Sequence, residues 1–424
     1  MIDTTVATPT RDRSALLVGL VFLTFFVISF VTNILGPLVP DIIRDFRVSQ
    51  GMAGMLPFSF FIAYGVLSIP AGFLVERWGE KPLMIASFMV CTAGALSFAL
   101  WPTYQAAVLS LFAIGSGMAA LQVAINPLLR VAGGEEHFAF YSAFAQLVFG
   151  VASFLSPFLF SYLIMQLTTG GAHGLLLERL SRLTPAGLPW VSMYWLFAIA
   201  TAVMVAVIAL VKLPKVERTA DESAGTLGMY RDLLRKRVTW LYFLAIVAYV
   251  GCEQGTADWM SQFLYRYHHY NPDVQGAAAV AWFWGLLTLG CLIGMLLLKL
   301  FDSRKVLIGF SLGALAMLSL ALFGDASVSR LAFPAIGLFA SIMWPTIVAL
   351  GLNSVAEHHG PLAGILCSGI MGGALVPFLI GHLADAFGLR SAMLVLYLTF
   401  GCVLSVGFWA RPLVNNALLG GRKE

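Results

Sequence analysis

The sequence predicts an all-α membrane protein of twelve transmembrane helices, arranged as two pseudo-symmetric six-helix bundles. Composition is the first observation behind this prediction. Of the 424 residues, 59% are hydrophobic and only 11% are charged, and the mean hydropathy is +0.88. Soluble domains are about 45–50% apolar and about 25% charged. Most of the surface of a water-soluble fold of this chain would therefore be apolar.

The spacing of the apolar residues is the second observation. A helix needs about 20 apolar residues to cross a bilayer, and the runs here reach or exceed that length without strict alternation, which excludes a barrel. The first run is too long for a signal peptide and is expected to remain as the first helix. We predict spans at 15–40, 52–75, 82–102, 105–129, 137–165, 189–213, 238–265, 276–300, 304–324, 329–353, 361–387 and 391–413.

The basic residues predict the orientation. Eighteen Lys and Arg residues fall on the side that holds the N-terminus and seven on the opposite side. Because Lys and Arg accumulate in cytoplasmic loops, we expect both termini in the cytoplasm. The net charge of +4 is spread over many loops, so the sequence gives no reason to expect a nucleic-acid partner.

The chain divides into two similar halves. The fifth run contains Ser156-Pro157-Phe158-Leu159 and the eleventh contains Val376-Pro377-Phe378-Leu379, at a shift of 220 residues. We predict an N-terminal bundle at 1–213, a cytoplasmic linker at 214–237 and a C-terminal bundle at 238–424. Two parallel six-helix halves resemble the fold of the major facilitator superfamily, in which substrate binds near the midplane between the halves.

The loop after the second run resembles the signature loop of that superfamily. It reads Gly72-Phe-Leu-Val-Glu76-Arg77-Trp-Gly79-Glu80-Lys81, with Glu76 where Asp is usual. The resemblance implies cytoplasmic charge contacts that differ between conformations. An ordinary positively charged turn is the alternative interpretation. A weaker copy, Phe301-Asp302-Ser303-Arg304-Lys305, follows the eighth run.

Further motifs resemble the fucose–glucose/galactose symporter family within that superfamily. They are Ala124-Ile125-Asn126-Pro127, Tyr249-Val250-Gly251-Cys252-Glu253, Phe283-Trp284-Gly285, Gly337 to Thr346, and Gly372 to Pro377 with Gly381, Ala384 and Asp385. The resemblance covers about residues 17–410. It implies a sugar transporter of the bacterial inner membrane that works by alternating access, usually as a proton symporter, with sodium-coupled relatives.

Two positions depart from the family pattern. Fucose-transporting members carry an Asp in the first span and a Glu in the fourth, and both contribute to coupling and sugar contact. In this sequence the aligned positions hold Gly36 and Gln122. Any coupling ion, H⁺ or Na⁺, would have to use another carboxylate, and uniport remains an alternative.

Glu253 is the leading candidate for that role. It lies near the middle of the seventh run, where an ionisable group costs roughly 2.5–3.5 kcal/mol on insertion scales. It should therefore face a cavity and bind an ion, sugar or both, although a structural hydrogen bond is the alternative. Asp258, five residues later, is a second candidate for ion coupling, for an outer gate or for simple packing.

The predicted sugar site combines amides and aromatic side chains. Amides both donate and accept hydrogen bonds, as sugar hydroxyls do, but each could equally join two helices. Tryptophan can stack on a pyranose or anchor a membrane interface. Of three candidates, Trp259 lies nearer the outer end and is the weakest, whereas Trp344 lies deeper, beside the helix-breaking Pro345. The predicted substrate-binding residues are Asn33, Gln122, Asn126, Gln146, Glu253, Trp284 and Trp344.

The function expected is monosaccharide transport, with glucose, galactose or fucose as representative substrates. Export of a drug or another polar metabolite is an alternative, because Gly150 to Pro157 partly matches an antiporter motif. A non-transporting sugar receptor is a third interpretation. We expect no enzyme activity, no metal and no cofactor beyond a coupling ion, and a monomer in the bilayer.

Overall fold

The structure is a computed structural model that describes residues 11–133, 138–169, 174–185, 187–213, 227–355 and 357–413. Nearly all of this part of the chain is helical. The helices are α1 Arg11–Thr32, α2 Leu35–Phe46, α3 Gln50–Trp78, α4 Glu80–Leu100, α5 Tyr104–Gly133, α6 Phe138–Thr168, α7 Leu175–Leu183, α8 Ser192–Leu210, α9 Leu227–Leu234, α10 Arg237–His268, α11 Ala277–Leu300, α12 Ser303–Phe323, α13 Ala326–Ala340, α14 Met343–Leu352, α15 His359–Ser368, α16 Gly372–Phe387, α17 Leu389–Ala392 and α18 Val395–Trp409.

Twelve helical segments of the described chain are long and apolar enough to cross a membrane, which confirms the predicted number. They are Leu16–Phe46, Gln50–Trp78, Glu80–Leu100, Tyr104–Ile125, Phe144–Thr168, Pro189–Leu210, Arg237–His268, Pro272–Leu300, Ser303–Phe323, Ala326–Leu352, His359–Phe387 and Leu389–Trp409. The connection between the predicted fifth and sixth spans contains the short helix α7. The protein is therefore a multi-pass membrane protein.

The first span is interrupted, which the sequence analysis did not predict. Helix α1 ends at Thr32 and α2 begins at Leu35, so Asn33 and Ile34 lie between them. Pro37 lacks an N–H group and cannot donate to the carbonyl of Asn33, which removes one hydrogen bond of a continuous helix. The interruption leaves polar groups at mid-membrane depth, where they must lie against protein or a water-filled cavity.

The tenth span is interrupted close to Pro345, a residue that was expected to break the helix. The break falls between α13 and α14, at Ser341 and Ile342. Pro345 cannot donate to the carbonyl of Ser341, and the thiol of Cys291 on α11 donates to that oxygen instead at 3.4 Å. A neighbouring helix therefore satisfies the backbone group that proline leaves free.

The helix directions define two faces of the molecule. We call the face that holds the turn at Gly79 and helix α9 the linker face, and the face that holds Gln50 and Asp385 the distal face. The halves meet mainly through α3 with α16, α6 with α11, and α2 with α10. Of the predicted linker, residues 214–226 lie outside the described part of the chain, and the division at 214–237 stays a prediction.

Close helix contact across the halves requires glycine at Gly36. A Cβ atom added there would collide with the backbone carbonyl of Ala257 on α10. Gly54 on α3 has a similar role, because an added Cβ would lie 3.1 Å from the carbonyl oxygen of Pro377. Gly36 is the position where the family pattern has an Asp. In this conformation a carboxylate has no room there, because the backbone of α10 occupies the space.

Candidate functional site

Glu253 lies on α10, and its side chain is partly exposed. Its Oε1 accepts a hydrogen bond of 2.8 Å from the hydroxyl of Tyr249, one turn earlier on the same helix. Tyr249 is only 3% exposed, so this partner is fixed by packing. The second carboxylate oxygen is left to bind a proton, a cation or a substrate hydroxyl.

Two candidate tryptophans lie in the same half of the molecule. Trp344, at the start of α14, is half-buried, and its ring centroid is 6.2 Å from that of Tyr249. Glu253, Tyr249 and Trp344 therefore form one cluster of an acid, a phenol and an indole. Trp284 on α11 is 4% exposed and packs edge-on against Phe283, and its Nε1–H has no hydrogen-bond partner among the described residues. This N–H is buried in the present conformation, so a sugar hydroxyl reaches it only if the surrounding side chains move.

Asn33 is already engaged within the first half. It lies at the break of the first span and is 5% exposed. Its Nδ2 donates to Ser153 Oγ on α6 at 2.8 Å, and Ser29 Oγ lies 2.6 Å from the same hydroxyl. This network ties the break to α6, so the interhelical role that the sequence left open is the one present in this conformation.

Gln122 also has a partner within the first half. The half-buried side chain of Gln122 on α5 makes a hydrogen bond with the hydroxyl of Tyr64 on α3. Tyr64 is 3% exposed, so it holds the amide in one orientation. The position that carries a Glu in the family pattern is here a neutral amide paired with a phenol.

Of the two remaining amide candidates, the side chain of Gln146 is described by the structure and that of Asn126 is not. Gln146 on α6 is exposed, one turn before Gly150, where α6 packs directly against Thr288 of α11. Its amide is therefore accessible near the contact between the halves. The side chain of Asn126 lies outside the described part of the chain. The substrate roles of both residues stay predictions.

Asp258 and Trp259 are sealed among helices. Asp258 is 3% exposed, and its Oδ2 has no hydrogen-bond partner among the described residues. It follows Ala257, which packs against Gly36, so it lies at the closed contact between α10 and α2. Trp259 is completely buried and donates from Nε1 to the carbonyl of Pro377 at 3.0 Å. Trp259 therefore acts in packing here.

The signature loop lies at the linker face between α3 and α4. Gly72 is half-buried, Glu76 and Arg77 are exposed, and Gly79 has φ +84°. Such a backbone conformation favours glycine. Lys81 Nζ donates to the carbonyls of Ala209 and Val211 at 2.8 Å each. Lys81 thus caps the end of α8, where a cation complements the free carbonyls.

The arginines of the two signature-like loops differ in the ion pairs that they make. Arg77 makes no ion pair with a described residue, so the state-dependent contact expected of it is not made in this conformation. In the second loop, Arg304 donates from its backbone N and from Nη2 to Asp302 at 2.8 Å each. These hydrogen bonds lower the pKa of the Asp302 carboxyl below its ordinary value.

The distal face carries a direct polar contact between the halves. Asp385 on α16 accepts hydrogen bonds from the backbone N–H groups of Gln50, at 2.9 Å, and Gly51, at 2.8 Å. These groups belong to the first turn of α3, where a helix attracts negative charge. The carboxylate of one half therefore caps a helix of the other and holds the distal face closed.

Several functional residues escaped the sequence analysis. Tyr249 was part of a quoted motif but was not named as the partner of Glu253, although its i, i+4 spacing was a usable signal. Tyr64 and Ser153 gave no signal, because their partners are far away in sequence. Asp385 was quoted only for the family resemblance, and nothing in the sequence indicates which helix end it caps.

Comparison with known proteins identifies the family. The family model described as Major Facilitator Superfamily matches residues 21–366. The glucose/galactose transporter of Brucella abortus is 29% identical over 398 residues, which are 91% of this chain and 92% of that protein. The L-fucose-proton symporter of Escherichia coli is 26% identical over 397 residues, 89% of each chain. These relatives confirm the resemblance predicted from the motifs.

Solved structures confirm the fold. The E. coli fucose:proton symporter superposes with a TM-score of 0.66 at 22% identity, covering 94% of this chain and 99% of that one. A bacterial homologue of the human lysosomal transporter Spinster, in an inward-facing and occupied conformation, superposes with a TM-score of 0.76 at 14% identity, covering 95% and 97%. The family consists of transporters rather than enzymes, as predicted. The chain belongs to the major facilitator superfamily.

Proposed function

We propose that the protein carries a monosaccharide, with glucose, galactose and fucose as the first candidates, across the bacterial inner membrane by alternating access. The excess of basic residues on the linker face supports a cytoplasmic location for that face. The names of the relatives, glucose/galactose transporter and L-fucose-proton symporter, support the substrate class.

The cluster of Glu253, Tyr249 and Trp344 is the observation that carries the proposal. A partly exposed carboxylate beside an aromatic ring suits a pyranose, because the acid accepts from hydroxyls and the ring covers the apolar sugar face. Trp284, whose buried indole N–H has no partner among the described residues, supplies a further donor in the same half once the surrounding side chains move. The exposed amide of Gln146 is the candidate contact from the first half.

Ion coupling, in this proposal, depends on Glu253. Gly36 has no room for a carboxylate in this conformation and Gln122 is a neutral amide paired with Tyr64. Neither family position supplies a carboxylate here. A proton is the expected ion because Glu253 has a phenol beside it, whereas Na⁺ needs several oxygen ligands. Uniport is the second candidate, favoured by the same absence of carboxylates at positions 36 and 122.

Uptake into proteoliposomes tests the proposal. A panel of labelled glucose, galactose, fucose and a pentose control is offered with a pH gradient, a sodium gradient or neither. Symport predicts accumulation above equilibrium with one of the two gradients. Uniport predicts equilibration of the same sugar regardless of gradient. Failure of every sugar to enter or exchange would overturn monosaccharide transport and favour another solute.

A further inference from the structure

A pair of acids lies between the halves on the distal face, apart from the proposed sugar site. Asp41 is near the end of α2 in the first half, and its side chain is 1% exposed. Asp273 lies in the turn Pro272–Gly276 that begins the eighth span in the second half. The two carboxyl groups are within hydrogen-bonding distance of each other.

The hydrogen-bond donors near the pair satisfy a third acid, Asp45, more fully than they satisfy Asp41 or Asp273. Asp45 accepts from Arg44 Nε at 2.7 Å, from Arg44 Nη2 at 3.2 Å and from Trp190 Nε1 at 2.8 Å. Arg44 also forms an ion pair of 2.5 Å with Asp41, but its side chain is 56% exposed. Both carboxylate oxygens of Asp41 and Oδ1 of Asp273 are buried, and no described residue offers them a hydrogen-bond donor in suitable geometry.

The charges around the pair do not balance if every acid is ionised. Three carboxylates then face one guanidinium, which leaves a formal charge of −2 at a closed contact. Asp258, on the α10 helix that packs against α2, has no electrostatic interaction with either acid. Two carboxylates have no hydrogen to share, and they repel each other unless one is protonated. Arg44 and Trp190 already stabilise the charge of Asp45, so the missing hydrogen belongs between Asp41 and Asp273.

We propose that Asp41 and Asp273 form a site for one proton that holds the distal face closed. When the halves separate at this face, each carboxyl enters water and ionises independently at ordinary pH, because an unperturbed Asp has a pKa of about 3.9. Closure therefore takes up one proton. A difference of one bound proton changes the closed-to-open ratio by up to about tenfold per pH unit, with closure favoured as pH falls.

This proton site differs from a coupling site. It lies on the distal face and meets the medium on that side, so the proton returns to the compartment from which it came. The site sets the balance between two conformations and carries no ion across the membrane. The inference is independent of the transported solute, and a protein that does not transport sugar could still have this pH dependence.

A distance measurement on purified protein tests the proposal. Spin labels are placed at Thr103 in the first half and Ser327 in the second, both exposed on the distal face. The partly exposed cysteines Cys291, Cys367 and Cys402 are replaced by Ser. Pulsed electron–electron double resonance then gives the fractions of molecules with a closed and an open distal face between pH 5.5 and 8.5, without any sugar.

The wild-type background should lose the closed population as pH rises, by up to about tenfold per unit. Asp273→Asn and Asp41→Asn should each remove the contribution of this proton to the slope, because the amide N–H donates to the remaining carboxylate and no titrating proton is needed between them. Asp325→Asn is the matched control, since Asp325 caps α13 on the same face through its bond to Val328 and should keep the wild-type slope. A pH-independent wild type, or unchanged slopes in both monodisperse Asn variants, would overturn the proposal.

Discussion

Glu253 is, at the scale of single residues, the acid on which coupled transport should depend. Glu253→Gln removes the titrating group but keeps an oxygen that can accept from Tyr249. We expect the variant to lose accumulation driven by a gradient and to retain exchange of labelled sugar between equal concentrations. Uptake and exchange in proteoliposomes measure the two activities separately.

A companion variant separates the charge from its hydrogen bond. Tyr249→Phe removes the donor to Glu253 but leaves the carboxylate, so accumulation should persist, with a changed pH dependence. Full accumulation by Glu253→Gln would disprove the coupling role, and Asp258 would become the next acid to test.

Trp344 should contribute to sugar affinity through its ring. Trp344→Ala is expected to weaken binding by about 1 kcal/mol, the scale of a desolvated aromatic contact, whereas Trp344→Phe should recover part of it. Binding of labelled sugar to purified protein gives the two affinities. Trp259→Phe is the control for loss of an indole, because Trp259 is buried against Pro377. Equal affinities of Trp344→Ala and wild type would make Trp344 a packing residue.

Single residues of the candidate site were predictable from the sequence where the membrane restricts which residue types are tolerated. Glu253 was identified because an acid at mid-membrane depth is energetically costly and therefore indicates a specific role. Asn33 was identified in the same way, yet its partner Ser153 is 120 residues away, and no local pattern states such a pairing. Polar residues in apolar runs are thus visible in the sequence, whereas the choice between ligand and interhelical bond depends on tertiary contacts.

At the scale of helices, Asp385 should stabilise the closed distal face through the first turn of α3. Asp385→Asn removes the negative charge but keeps one acceptor oxygen. Charge at a helix N-terminus contributes about 0.3–1 kcal/mol, and up to about 2 kcal/mol when partly buried. We expect the closed-to-open ratio of the Thr103–Ser327 spin-label pair to fall several-fold at fixed pH.

The matched comparison is again Asp325→Asn, whose carboxylate caps a helix of its own half and should leave the ratio unchanged. An unaltered ratio in Asp385→Asn would show that this carboxylate does not contribute to closure of the face. The breaks in two spans illustrate the same limit of sequence reasoning for helices. Pro345 signalled the break in the tenth span, but Pro37 lay in an apolar run that reads as one continuous helix.

At the scale of the whole molecule, Arg77 should govern exchange between conformations rather than recognition. It is exposed and makes no ion pair with a described residue while the distal face is closed. A contact made only in the opposite conformation would shift the population without touching the sugar. Arg77→Ala should therefore slow transport while the affinity, corrected for that shift, persists.

Sugar exchange and equilibrium binding on the same preparation measure the two quantities. Lys305→Ala, an exposed basic residue of the second-half loop, is the control for loss of charge at the linker face. A weakened intrinsic affinity with normal exchange would contradict the assignment of Arg77. The twelve spans themselves were predictable, because lipid admits few backbone arrangements and the thickness of the bilayer sets the length of a span.

Gly79 and Gly388 each connect two helices with no intervening loop. Gly79 ends α3 and precedes α4 with φ +84°, and Gly388 ends α16 and precedes α17 with φ +81°. Because a single residue joins them, the adjoining ends of the two spans stay next to each other in every conformation. Gly79 lies at the linker face of the first half and Gly388 at the distal face of the second. The two joints therefore restrain span ends at opposite membrane surfaces, the linker face in one half and the distal face in the other.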